Sequence, residues 1–253
     1  MVKKFDTESR KRMMTSMTDS KLTPYFVYND EYDITKLLQF QKDPDMFPKE
    51  ISMLAVVIKS LSIGIISFPM FNKTVHYNHL DEVEIKGNYL LVKSLFDNFD
   101  EILIFYTNLI KKSLENKNQN IWIAHSESNG LTTSCISKIE TLKITDIQDA
   151  LPKVLDPLCK WDPIDMSTFS LYFNRNGTSL YPNILRPHSW AFAFGQTRHE
   201  GRFDSNGMLV PKELISISIS WDPRVIHHKD WANFSKLIKL IIENPMHLSL
   251  HMH

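Results

Sequence analysis

Two period-2 runs constrain this chain more than any other feature. In residues 189–194, Trp190, Phe192 and Phe194 alternate with small residues, which puts the three rings on one face of a strand. In residues 214–221, Ile215, Ile217, Ile219 and Trp221 take one face, and Ser216, Ser218 and Ser220 take the other. Gly195 closes the first run. Asp222-Pro223 closes the second, because proline cannot donate to a ladder. The residues between, 196–204, read as a polar connection dense in His, Arg, Glu and Asp.

The flanking sequence is ordinary core and surface. Residues 34–40 fit a short helix. Residues 49–62 carry Ile51, Leu54, Ala55, Ile58 and Leu61 at helical spacing, and Gly64 is expected to break that helix before a strand at 65–68. Residues 97–114, 145–159 and 231–243 are further amphipathic helices, the last with Phe234, Leu237, Ile238 and Ile241 inward. Short strands are expected at 25–32, 121–125 and 168–173. Helices and strands mix without a βαβ beat. The pattern therefore predicts an α+β fold, a mostly antiparallel sheet flanked by amphipathic helices. No Pro/Gly/Ser-rich linker or internal repeat divides the chain. A polar arm, residues 1–23, precedes a single domain, residues 24–253.

Charge balance narrows the function. With 29 Lys+Arg against 29 Asp+Glu, the chain is not built as a general nucleic-acid binder. Its two cysteines, Cys135 and Cys159, make no disulfide framework and fit a reducing compartment. Residues 1–20 lack the apolar core of a secretory leader. The longest apolar stretch, 53–71, is broken by Lys59, Ser60, Ser62 and Gly64, so no membrane span is expected. A soluble, cytoplasmic protein follows from these features. GxGxxG, GxxxxGK[ST] and GxSxG patterns are absent, which removes sequence support for a dinucleotide site, a P-loop and a nucleophile elbow.

Candidate chemistry gathers near the aromatic run. His188 and His199 stand at its two edges, among Arg186, Arg198 and Arg202. A heme pocket needs an axial ligand, apolar walls and cations for propionates, and Trp190 with Phe192 and Phe194 could line one. Core aromatics with flanking surface charge explain the same residues equally. Elsewhere, His247 and His251 are four apart and His253 follows, without a neighbouring carboxylate or cysteine at zinc-ligand spacing. His227 and His228 are adjacent and diverge on any regular element. Asp45, Glu84 and Lys86 sketch a metal-dependent nuclease, through a Glu-Ile-Lys triplet of a kind common by chance. A non-enzymatic interaction factor, viral or host-targeting, is the remaining alternative.

The order of short motifs along residues 65–250 resembles the YqcI/YcgG family, which includes heme-dependent N-hydroxylases of guanidino substrates. The resemblance is carried by Phe68-Pro69-Met70, the elements at 103–112 and 121–125, and Leu158-Cys159-Lys160-Trp161. It continues through His188-Ser189-Trp190-Ala191-Phe192-Ala193-Phe194, Thr197-Arg198-His199, Asp222-Pro223-Arg224 and Pro245-Met246-His247. Met70 stands where that family has a cysteine, and residues 197–199 lack its proline. The resemblance implies oxygen activation at a heme whose iron is held by His199, with His188 as second candidate. It implies Glu200 or Asp204 gripping a cationic guanidino or amine substrate by charge-assisted hydrogen bonds. The expected partner is a small-molecule substrate or, for the interaction factor, a protein.

Overall fold

In the computed structural model the described residues are 18, 23–42, 50–77, 83–86, 121–127, 130–136, 138–154, 169–173, 181–246 and 248. The helix expected at 97–114, the arm before residue 23 apart from residue 18, and the histidines at 247, 251 and 253 lie outside them.

A six-stranded sheet organises the fold. Its strands are β1 (Phe26–Asp33), β4 (Ile121–Glu127), β5 (Gly130–Ile136), β6 (Phe169–Phe173), β7 (Trp190–Phe203) and β8 (Leu209–Trp221), in the spatial order β1-β8-β7-β6-β4-β5. A separate two-stranded ribbon pairs β2 (Thr74–Tyr77) with β3 (Val83–Lys86). In the large sheet β1–β8, β8–β7 and β4–β5 are antiparallel, while β7–β6 and β6–β4 are parallel. The sheet is thus mixed, and the fold is α+β in one domain.

Four helices are seen among the described residues: α1 (Thr35–Gln41), α2 (Met53–Ser67), α3 (Ile144–Val154) and α4 (His228–Glu243). The two period-2 runs pair in register, Trp190 with Trp221, Phe192 with Ile219 and Phe194 with Ile217. Their large side chains form one apolar face that shares a buried cluster with Leu61, Phe71, Trp231, Phe234 and Ile238. Phe234 of α4 stacks on Phe71 at 3.9 Å, and Trp221 stacks on Trp231 at 4.6 Å. Burying rings of this size contributes about 2–3 kcal/mol each.

Two sequence expectations change here. Gly64 does not break its helix: α2 runs on to Ser67 and ends before Pro69. Thirteen of its fifteen residues are buried, so it packs on all sides and its sequence carries little polar periodicity. Gly64 is where α4 comes closest. A Cβ there would lie 2.6 Å from Ile238 Cδ1 and 2.8 Å from Phe234 Cε2. Nor does β7 end at Gly195. The register shifts between Phe194 and Thr197, and the strand continues to Phe203. One extra residue in a bulge moves the alternation from even to odd positions. Strict period-2 reading therefore stops at the bulge, though the ladder does not.

Candidate functional site

The sequence candidates fall into two groups at opposite ends of β7. His188 precedes the strand and His199 lies beyond the bulge, eleven positions later, which is about 36 Å at 3.3 Å per residue.

The first group is a buried polar node at the base of β7. His188 is 1% exposed and shares a 2.5 Å hydrogen bond through Nδ1 with Ser170 Oγ on β6. Ser189 Oγ donates to the Lys73 carbonyl at 2.8 Å, and Trp190 Nε1 donates to the Phe71 carbonyl at 2.6 Å. Trp190 also stacks on Phe169 at 4.5 Å. Arg186 is half-buried and joined to Pro187 by a cis peptide bond. The donors of Ser189 and Trp190 have backbone partners, as burial demands of polar groups, while the buried Nε of Arg186 has no hydrogen-bond partner among the described residues.

Next to this node the chain turns from β8 into α4. The Asp222 backbone N–H donates to Ser189 O at 2.8 Å. The Asp222 carboxylate is fully buried. It accepts from the Arg224 backbone N–H at 2.9 Å and from the Arg224 guanidinium at 2.6 to 3.2 Å. This clamp fixes the turn and leaves Pro223 exposed at its crest. His227 caps α4, its Nδ1 accepting from the Lys229 backbone N–H at 3.4 Å. His228 lies 6.3 Å from the Trp221 ring. The clamped turn is tied to the buried node through Ser189, the neighbour of His188.

The second group is exposed. Arg198 pairs with Glu31 of β1 and, at 3.1 Å, with Glu200. Arg202 reaches Glu31 at 2.8 Å and Glu200 at 3.0 Å. The Arg198 hydrogen bond, more than any other contact, holds the Glu31 carboxyl below the usual carboxylate range. His199 Nδ1 lies 2.7 Å from Glu213 Oε1, with its ring 69% exposed. Asp204 Oδ1 accepts from the backbone N–H groups of Asn206 and Met208, both at 2.9 Å, and so shapes the hairpin turn. The structure brings Arg198, Glu200 and Arg202 together. It does not bring them to His188, Trp190 or Arg186. The guanidinium groups expected to face propionates are bound to carboxylates of the same sheet. Among the described residues no three His, Cys, Asp or Glu side chains converge as a metal site. Of the nuclease set, Asp45 lies outside the described residues, while Glu84 and Lys86 sit on β3 with side chains that are not described.

The sequence pattern of the 2-oxoacid dehydrogenases acyltransferase (catalytic domain) matches residues 5–91 and 88–250. The chain belongs to that family. Acyltransferase-family membership overturns the YqcI/YcgG resemblance, and with it the heme cofactor and the oxygenase chemistry. The interaction-factor and nuclease alternatives lose their support as well.

The lipoamide acyltransferase component of the mitochondrial branched-chain α-keto acid dehydrogenase complex of Caenorhabditis elegans is 26% identical over 244 residues, covering 92% of this chain and 47% of that protein. The chain thus spans about half the length of the relatives it matches. Solved structures agree in fold. Azotobacter vinelandii dihydrolipoamide acetyltransferase gives a TM-score of 0.73 at 15% identity, covering 98% of this chain and 94% of that one. A subunit of the cubic core of the pyruvate dehydrogenase multienzyme complex gives 0.69 at 15% identity, over 98% and 94%. No short motif in the sequence pointed to this family; the match runs along residues 5–250 as a whole.

Proposed function

We propose that this chain is an acyltransferase domain of a 2-oxoacid dehydrogenase complex, moving an acyl group between the thiol of dihydrolipoamide and a second thiol. The family match across almost the whole chain carries this reading. The acyl donor would be a small branched or straight-chain acyl thioester, as the branched-chain complexes of the animal relatives suggest. Those relatives are named mitochondrial, so fractionation with mitochondria rather than cytoplasm is the expectation for this chain.

Thioester exchange needs a base for the attacking thiol and a donor for the oxyanion of the tetrahedral intermediate. In the Azotobacter protein a serine, a histidine and an asparagine have roles in the catalytic mechanism, the last two being four residues apart. In this chain only His125 is followed by Asn four positions on, at Asn129; the His125 side chain and residue 129 lie outside what the structure describes. Four residues after His188, His199, His227 and His228 stand Phe192, Phe203, Trp231 and Ala232, none of which carries the side-chain amide of an asparagine. The Ser170–His188 pair is sealed from any substrate thiol by its burial. These observations favour a second reading within the same family, a domain that keeps its place in the complex without turning over acyl groups.

One assay separates the two. The purified chain is incubated with S-isobutyryl-dihydrolipoamide and coenzyme A as thiol probe, and products are followed by mass spectrometry. Saturable transfer well above the uncatalysed exchange supports the first reading. If transfer survives His125→Ala, the histidine with the right spacing is not the base. No transfer from a folded chain sinks the acyltransferase reading and leaves the second.

A further inference from the structure

The β7–β8 hairpin outgrows the sheet. β6 pairs with β7 only as far as Phe194, and β1 pairs with β8 only as far as Leu214. Beyond those points the hairpin is an arm with no further strand beside it among the described residues. Backbone groups hold its root. The Ile34 N–H donates to the Glu213 carbonyl at 2.8 Å, and the Glu213 N–H donates to Thr35 Oγ1 at 2.9 Å. An ion pair between Lys212 and Asp33, at 2.7 Å, closes the same region. Past the root the ladder weakens, where Gly201 opposes Pro211. Proline gives a ladder no N–H, and glycine leaves the backbone free to bend.

The outer half of the arm runs from the Arg202–Val210 pair to the turn. Among the described residues one contact ties it to the body, the ion pair of Arg202 Nη2 with Glu31 Oε2 at 2.8 Å. That contact requires a bent arm. Glu31 opposes Ser216 and Arg202 opposes Val210, six residues apart along β8, which is about 20 Å in a straight strand. Two strand spacings also separate β1 from β7. A glutamate and an arginine side chain, even fully extended, do not cover that span. The outer half therefore curls over the face of β1 that carries Glu31. Arg198 binds the other oxygen of Glu31, and Glu200 takes Arg202 at 3.0 Å, so a neighbour aims each partner.

We propose that the Glu31–Arg202 pair is an electrostatic latch. It closes the outer half of the arm over β1, and screening or removing its charges lets that half straighten about the Gly201–Pro211 pair. The latch is independent of acyl transfer. Its two side chains are 48% and 43% exposed, so the pair favours the closed arm by no more than about fivefold. A balance this close to even is open to salt, because the Debye length falls from about 10 Å at 0.1 M to about 3 Å at 1 M. A bend built into the backbone, by the bulge and by strand twist, would not respond.

The test is the distance between spin labels on Asn206→Cys, at the turn, and Val27→Cys, on β1, in a whole chain whose Cys135 and Cys159 are replaced by serine. Labelled chain is diluted in an excess of unlabelled chain, so that only distances within one molecule are read. We expect one short distance at low salt and a second, longer one in about 1 M sodium chloride. The ratio of closed to open arm should fall by about fivefold. Arg202→Gln and Glu31→Gln should each open the arm at low salt. Lys212→Gln, which breaks an ion pair at the root, should leave the distance alone. The proposal is overturned by an arm that stays closed throughout, or that is open in the parent at low salt. It is overturned equally by an arm that opens with salt but not with Arg202→Gln, or that opens as far with Lys212→Gln. The salt series needs no substitution in the latch, and the melting temperature of each variant shows that its fold is kept.

Discussion

Lys59 is the one lysine of α2, and it is buried at 4% exposure with Nζ donating to the Leu142 carbonyl at 2.6 Å. Burial pushes its pKa down to about 8, with Glu140 and Asp146 opposing that shift. The folded state therefore binds fewer protons than the unfolded chain between about pH 8 and the ordinary lysine value of 10.5. Stability rises with pH wherever the unfolded state holds more protons. The parent should gain stability relative to Lys59→Met as pH climbs through that window, and the difference should be flat below it. Urea titrations at pH 7, 8.5 and 10 would read this, and a parallel pair of curves would refute it. Asp222 poses the opposite case, a buried carboxylate satisfied by Arg224. Asp222→Ala leaves a guanidinium without its clamp and frees the β8–α4 turn. We expect a loss of about 3 kcal/mol in urea unfolding. Glu31→Gln, in the exposed arm network, should cost under about 1 kcal/mol, less still at high salt.

At the scale of the element, α2 and α4 meet at Gly64. Replacing a helical glycine by alanine ordinarily stabilises by about 1 kcal/mol. Here the added methyl would meet Ile238 and a Phe234 ring already pinned against Phe71. Gly64→Ala should therefore destabilise by about 1–3 kcal/mol, the usual cost of overpacking. A rise in denaturation midpoint would show that α4 slides away freely. The sequence marks Gly64 as a helix breaker because glycine is poor in helices taken one at a time. Only the approach of α4 explains why glycine stands inside this one. The same limit applies to β7. Trp190, Phe192 and Phe194 announce the strand, and the bulge after Phe194 then hides its second half, because alternation is legible only while register is constant.

Across the whole molecule, β1 near one end of the chain is held by β8 near the other, and α4 packs over both through Trp231. Neither end can leave without stripping the apolar face. Unfolding followed by near-ultraviolet and far-ultraviolet circular dichroism should therefore trace one coincident transition. Two separated transitions would divide the chain into units.

The sequence by itself determined the paired faces of β7 and β8, the stripe of α4 and the mixed α+β class, since these follow from local periodicity and burial. It could not decide the function. His188, His199 and three arginines are neighbours along the chain, and proximity in sequence suggested one pocket. Tertiary structure separated them by the length of a strand, turned His188 inward onto Ser170 and spent Arg198 and Arg202 on Glu31. A strand carries its residues away from one another at about 3.3 Å each. Which side chains meet is therefore set by pairing partners distant in sequence, such as Glu31 and Ser170, that no local reading contains.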